Sequence, residues 1–436
     1  MLALLKQRNF ALLWCSGLIS FMGDWALFVA LPLYIYTITG SVAAMGTLFI
    51  VGVLPGILLG SFAGVFADRF DRRWVIIVAN LALTPLYSAL LFFTTPDAVW
   101  IAYLVSISAN TIRQLLTPAE MALLPKLVDP ELLVSANALD ALNGNLARLI
   151  GPAVGGVMFA WFGFHASVLF DVATFAVAAS LVFFISAPSS VTRATPSPDA
   201  EESEIAVKLS AFRTVITDWL SGLSLIRHNR TLWSLMVLIG VINIADGVIT
   251  VLMIVYVEKA LGGGSPELGW LLTAQAAGGL IGSALIGQVG RRFRPWQMIV
   301  FGFFVVGIVD ACIWLVPILP LNIALMVIVG LPITWLSVSA ITLFQWVTED
   351  RYRGRIFGAF GTTSSLLLLV GRIFATFVGG QLDVVTVLAA TCSLYIISGL
   401  IAIPLLRDPN QSVLHPSPAP EPQIAHAQAM AELAEA

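Results

Sequence analysis

The chain has 436 residues, 58% of them hydrophobic and only 11% charged, with a net charge of -3 and a mean hydropathy of +0.94. Soluble domains carry roughly 25% charged residues, so this composition excludes a water-solvated globular protein. The sparse basic residues also exclude nucleic-acid binding.

Twelve apolar runs are long enough to cross a bilayer as helices, which takes about 20 residues. They cover 10–38, 43–66, 73–95, 98–123, 133–161, 164–187, 231–258, 267–289, 296–316, 320–346, 355–379 and 384–406. The runs are continuous rather than alternating, and backbone facing lipid must bond to itself, so helix is preferred to strand. The first run is too long for a cleavable signal peptide and reads as a retained span. The sequence therefore predicts an all-α membrane protein: a bundle of six spans over 1–187, a linker over 188–230, six more spans over 231–406, and a tail over 407–436. Residues 188–204 have linker composition. Phe212, Val215, Ile216, Trp219, Leu223 and Ile226 then recur at helical spacing, which predicts an amphipathic helix anchoring the linker at the membrane surface. The tail, rich in Pro, Ala and Glu, reads as disordered.

Basic residues set the orientation. Lys6, Arg8, Arg69, Arg72, Arg73, Lys126, Arg291, Arg292, Arg294, Arg351, Arg353, Arg355 and Arg407 all fall in one set of connections, and only Lys259 falls in the other. The positive-inside rule places that basic set, and both termini, in the cytoplasm of a plasma (inner) membrane.

The halves echo each other at an offset of 222 residues: Asp24 falls on Asp246, Tyr34 on Tyr256, Gly56 on Gly278, Gly60 on Gly282, Arg69 on Arg291 and Arg72 on Arg294. Both halves start on the same side of the membrane. This is a parallel repeat about an axis along the membrane normal, suited to rocking-type alternating access.

Several motifs carry this further. Residues 64–73 read G-V-F-A-D-R-F-D-R-R, preceded by Gly52, Gly56 and Gly60 on the same helix face as Gly64. The fifth run carries N-L-A-R-L-I-G-P-A-V-G-G, from Asn145 to Gly156, in which Gly151, Pro152, Gly155 and Gly156 favour a kink and tight interhelical contact. S-F-M-G-D-W lies at 20–25, T-P-A-E-M-A-L-L-P at 117–125 and L-V-S-A-N-A at 133–138. Together these resemble the major facilitator superfamily over nearly the whole chain, and within it the drug, macrolide and siderophore exporters. The likeness is partial at Asp71, where the first motif usually has glycine, and at Ala138 and Ala147, where the second does. The resemblance implies the major facilitator fold and a carrier exporting small amphiphilic compounds against an inward proton flux. It also implies that Asp68 latches the cytoplasmic ends of the halves in the outward-facing state, with Gly64, Arg69, Arg72 and Arg73 beside it. The alternative is that Asp68 caps a helix or neutralises Arg69 and Arg72.

Charges inside a bilayer cost roughly 2.5–3.5 kcal/mol each and need a partner, water or a proton. Asp24, Arg113, Asp140, Arg148, Asp171, Asp246, Asp310 and Arg372 are such residues. Asp24 lies at the centre of its run, where desolvation disfavours the carboxylate and fits it to bind and release a proton. The resemblance places the first and fourth helices on the cavity, which makes Arg113 its partner. Asp246, Asp310 and Arg148 are further candidates, Arg148 as a gating residue. Asp140, Asp171 and Arg372 are expected to be structural. Trp25, Phe28, Tyr34, Tyr256 and Trp335 are candidate cavity walls or packing residues.

Catalytic signatures are missing. His165, His228, His415 and His426 have no HExxH spacing, Cys15, Cys312 and Cys392 lie far apart, and there is no phosphate-binding loop. No cofactor, metal or enzymatic activity is expected, and the chain is expected to work as a monomer in the lipid bilayer with protons and a small amphiphilic substrate. Two other readings stay open: a lipid flippase or metabolite uniporter of the same fold, and a membrane-embedded enzyme or sensor.

Overall fold

A computed structural model describes residues 2–67, 70–186, 217, 219–348 and 352–407, with residues 2–3 and 60–67 described as backbone alone. Among these the chain is helical with no strand. In chain order the helices are α1 (Arg8–Thr39), α2 (Val42–Ala67), α3 (Arg72–Ser88), α4 (Val99–Leu123), α5 (133–162), α6 (164–183), α7 (Arg230–Lys259), α8 (Ser265–Val289), α9 (Pro295–Leu315), α10 (Leu319–Val347), α11 (Arg353–Val378) and α12 (Val384–Leu406). The break between α5 and α6 is made at Gly163, whose φ of 79° and ψ of 177° interrupt one continuous run, Leu133–Phe183. Only glycine adopts that conformation without strain.

Local chemistry fixes the other helix ends. Gly40 closes α1 in the left-handed region at φ 62°, its N–H bonded to the Tyr36 carbonyl. Asp71 caps α3 by accepting from the Arg73 and Trp74 amides, and Asn229 caps α7 by accepting from those of Thr231 and Leu232. α3 is shorter than the sequence predicts: beyond Pro85 its last turn tightens into a 3-10 helix, Ala89–Phe92. Among the described residues ten stretches are long and apolar enough to span a membrane, one of them being the run that Gly163 divides in two. α4 supplies the remaining crossing. Asn110, Arg113, Gln114 and Glu120 lower its hydropathy, and that polarity foreshadows its place on the cleft.

The helices form two bundles with matching contacts. α1 packs on α5 and α6 as α7 packs on α11 and α12, while the α2–α4 contact matches α8–α10. The repeat is visible atom by atom. Tyr34 donates to the Phe93 carbonyl at 3.2 Å, closing α1 onto the end of α3, and Tyr256 donates to the Ile313 carbonyl at 2.6 Å, closing α7 onto the end of α9. Both tyrosines therefore pack helix ends and do not line the cavity. Trp335 does likewise, donating to the Gly282 carbonyl at 2.9 Å between α10 and α8.

The bundles meet along two pairs that the repeat exchanges, α5 with α8 and α2 with α11. The Gly-Pro segment of α5 explains how. Gly151 and Gly155 form one stripe against α1, where an added Cβ would lie 2.5 Å from Trp25 Cβ and 2.3 Å from the Ala26 carbonyl oxygen. Pro152 and Gly156 form a second stripe against α8. A Cβ on Gly156 would meet the Ser265 carbonyl oxygen at 2.4 Å, and one on Gly269 would meet the Pro152 carbonyl oxygen at the same distance. The Ser265 hydroxyl donates to the Gly156 carbonyl at 2.9 Å, and Thr273 donates to that of Leu149 at 3.0 Å. In the α2–α11 contact, Gly46 sits against the Thr376 side chain and Gly379 against Val42. All these contacts lie in the half of the molecule away from the termini. Toward the termini, Gly144 of α5, Gly287 of α8, and Gly354 and Gly358 of α11 have no described atom within 4 Å of where a Cβ would stand. Among the described residues the bundles are thus in close contact at one end and apart at the end where α1 begins and α12 ends.

Between the bundles, residues 219–228 form a short helix against the start of α11. There Gly222 lies under the Arg355 carbonyl and the Ala359 side chain, and the Trp219 indole donates to the Thr363 hydroxyl at 3.3 Å. Of the predicted linker helix, Phe212, Val215 and Ile216 lie outside the described residues, as do 188–216 and the tail from 408.

Candidate functional site

The parted bundles enclose a cleft with two lobes. The first, of about 420 Å³, lies mainly within the N-terminal bundle and is lined by Asp24, Tyr87, Asn110, Arg113 and, from the other bundle, Arg372. The second, of about 580 Å³, lies between the bundles and is lined by Arg148, Asn243, Asp246, Gln275 and Tyr395 among apolar side chains. Trp25, Phe28 and Phe49 line both lobes and form the partition between them.

Asp24 and Arg113 are brought together as expected. Both oxygens of the Asp24 carboxylate accept from the Arg113 guanidinium, which also donates to the Tyr87 hydroxyl at 3.1 Å and stacks over Phe175. The two side chains are 15% and 22% exposed, so the pair is largely withdrawn from solvent yet reachable from the first lobe. A bidentate pair in such a site is strongly held, and breaking it by removing one partner leaves an uncompensated buried charge.

The repeat partner, Asp246, reaches the second lobe, but among the described residues no arginine is in ion-pair contact with it. The position matching Arg113 is Trp335, and Asp246 instead accepts from the Tyr395 hydroxyl. Asp310 is buried on α9 outside the lining of both lobes, within electrostatic reach of Asp246. Asp171, expected to be a structural ion pair, is fully buried on α6. One of its oxygens contacts the Thr174 hydroxyl and the other has no protein partner among the described residues. It lies directly behind Gly23, the neighbour of Asp24.

Arg148 bridges the bundles, donating to Gln275 at 3.2 Å and lying 5.7 Å over the Trp25 ring. Arg372 bridges them from the opposite direction, donating to the Phe49 carbonyl at 2.9 Å and lying 5.6 Å over the Phe49 ring. Arg372, expected from the sequence to be structural, thus lines the cleft, because the face of α11 meeting the cavity is set by packing rather than by any local motif. Arg72 and Arg73 act within one bundle. Arg72 reaches the Ala122 carbonyl at 3.4 Å, and Arg73 donates to those of Val182 and Phe183, tying the start of α3 to the ends of α4 and α6. Asp68 and Arg69 lie outside the described residues, and Gly64 lies in the part of α2 described as backbone. Among the described residues no cluster of His, Cys, Asp and Glu could hold a metal ion.

Two six-helix bundles related by a parallel repeat around a charged central cleft define a membrane transporter of the alternating-access kind. The family of transmembrane secretion effectors matches residues 1–431, and the chain belongs to it, within the major facilitator superfamily. Its relatives include macrolide efflux protein A of Streptococcus pyogenes, 24% identical over 87% of this chain and 91% of that one. The enterobactin exporter EntS of Citrobacter koseri is 26% identical over 96% of this chain and 97% of that one. Among solved structures, the nucleoside transporter NupG superposes with a TM-score of 0.73 at 11% identity, over 92% of this chain and all (100%) of that one, which shows the shared fold.

Proposed function

We propose that this protein is a secondary-active exporter that moves small amphiphilic compounds out of the cell in exchange for entering protons. The observation that carries the reading is the Asp24–Arg113 pair, set at mid-span and facing the cleft between the bundles. Protonating Asp24 releases Arg113, so a proton and a substrate can compete for the same site. The tight α5–α8 contact at the far end and the parting near the termini are one state of the alternating cycle. With the basic connections in the cytoplasm, that state is inward-facing, in a plasma membrane with both termini inside. The macrolide and siderophore exporters among the relatives support an amphiphilic cargo.

In the same reading the units are 1–187, a cytoplasmic linker over 188–230, 231–406 and a cytoplasmic tail over 407–436, and the chain works as a monomer without a cofactor. Arg148 and the Gly151, Pro152, Gly155 and Gly156 segment govern the rocking of the bundles. Asp68, with Arg69, would latch the cytoplasmic ends when they close. Asp246, with Asp310 behind it, is a second candidate for proton or substrate binding. The test is efflux of lipophilic dyes and macrolides from proteoliposomes, with and without an imposed pH gradient. Accumulation that follows the gradient supports exchange with protons, and gradient-independent equilibration would favour a uniporter instead.

A further inference from the structure

The charges of the cleft are unevenly shared. Among the described residues, Asp24, Arg113, Arg148, Asp246 and Arg372 are the charged side chains lining the two lobes, three cations against two carboxylates, and Asp24 is already tied to Arg113. Asp246 faces Arg148 across the second lobe at electrostatic rather than contact range. Among the described residues neither Arg148 nor Arg372 has a carboxylate in ion-pair contact. Arg372 is the sharper case. One of its nitrogens donates to the Phe49 carbonyl, while its Nε is buried with no acceptor. The side chain lines the first lobe, where the guanidinium N–H groups that are not enclosed can take a carboxylate or phosphate.

The same two arginines flank a row of aromatic rings. Arg148 covers Trp25, Trp25 meets Phe28 edge-on at 5.2 Å, Phe28 meets Phe49 at 5.9 Å, and Arg372 covers Phe49. Because these rings line both lobes, a ligand lying along them has a guanidinium at each end. Beyond the row, the second lobe offers Phe344, Phe357 and Phe360.

From this we infer that the cargo is an anionic aromatic amphiphile: an acid group held by the Arg372 guanidinium where it lines the first lobe, its rings against Trp25, Phe28 and Phe49, and its apolar remainder in the second lobe. This rests on the exporter reading and narrows it, since a part-buried cation with no carboxylate in contact repels a positively charged drug and attracts an acid. Truncating one partner of a buried, charge-assisted contact leaves the other unsatisfied.

The test is equilibrium binding to the purified protein in nanodiscs, with no gradient, of two dyes sharing a xanthene ring system: anionic fluorescein and cationic rhodamine 6G. Fluorescein is expected to bind more tightly. Arg372→Gln should weaken it about tenfold or more, Arg372→Lys should recover part of the loss because the charge survives without the fork, and Arg148→Gln should weaken it less. None of these changes should weaken rhodamine 6G. Preference for rhodamine 6G, no binding of fluorescein, or fluorescein affinity unchanged in Arg372→Gln would each overturn the inference. The readout is independent of flux: fluorescein binding without gradient-driven efflux removes the exporter reading alone, and rhodamine 6G efflux without fluorescein binding removes this inference alone.

Discussion

Closure at the end away from the termini depends on the absence of a single methyl group. In Gly156→Ala the new Cβ would stand 2.4 Å from the Ser265 carbonyl oxygen and 3.1 Å from Pro266 Cα, where ordinary contact begins near 3.4 Å. Relief requires the bundles to part by about 1 Å at this point, which also stretches the 2.9 Å bond from Ser265 to the Gly156 carbonyl. Overpacking of this kind costs about 1–3 kcal/mol. The penalty falls only on the state that contains the contact, so it shifts the equilibrium toward the opposite state by roughly 5- to 150-fold. The assay is double electron–electron resonance on a variant with Cys15, Cys312 and Cys392 replaced and spin labels carried by Asp97→Cys and Ile318→Cys. These two exposed positions lie at the closed end, one in each bundle. Gly156→Ala is expected to move the main distance population to longer values. An unchanged distribution would refute the idea that this contact sets the closed end.

Three other outcomes are expected. Gly155→Ala places its methyl 2.3 Å from the Ala26 carbonyl oxygen, inside one bundle, so it should lower the folded yield and melting temperature in detergent without favouring either state. Tyr256→Phe leaves the Ile313 carbonyl and the Asn322 amide without their bonds of 2.6 and 2.9 Å. The loss should be about 1–3 kcal/mol, read as a lower melting temperature, and Tyr34→Phe, which removes a longer bond of 3.2 Å, should lower it less. Asp71→Ala removes the acceptor for the Arg73 and Trp74 amides and should destabilise α3 by about 1 kcal/mol, measured by faster hydrogen exchange at those amides.

The sequence showed the architecture well because membrane spans are written in continuous apolar runs, and the offset of 222 showed the repeat through Asp24 and Asp246 or Tyr34 and Tyr256. Asp24 and Arg113 were legible as candidates for the same reason, since each charge stands alone in an apolar run and needs a partner, while their pairing came from the resemblance, which puts the first and fourth helices on the cavity. What the sequence could not show was direction across the cleft. Arg372 and Asp171 look alike in sequence, each a lone charge in an apolar helix, yet Arg372 faces the cleft and Asp171 is buried behind Gly23. The Gly-Pro segment was legible as close packing, but not as two stripes serving different neighbours, because that division depends on where α1 and α8 lie. Asp246 shows the limit of the repeat: its position was inherited, while its partner was replaced by the hydroxyl of Tyr395 from another helix.

The central claim is that proton coupling passes through Asp24. Proteoliposomes holding the wild type or Asp24→Asn would be compared in two modes with the same dye, accumulation driven by a pH gradient and exchange between labelled and unlabelled dye with no gradient. The account predicts that Asp24→Asn loses gradient-driven accumulation while retaining exchange. Accumulation that follows the pH gradient as strongly in Asp24→Asn as in the wild type would contradict it.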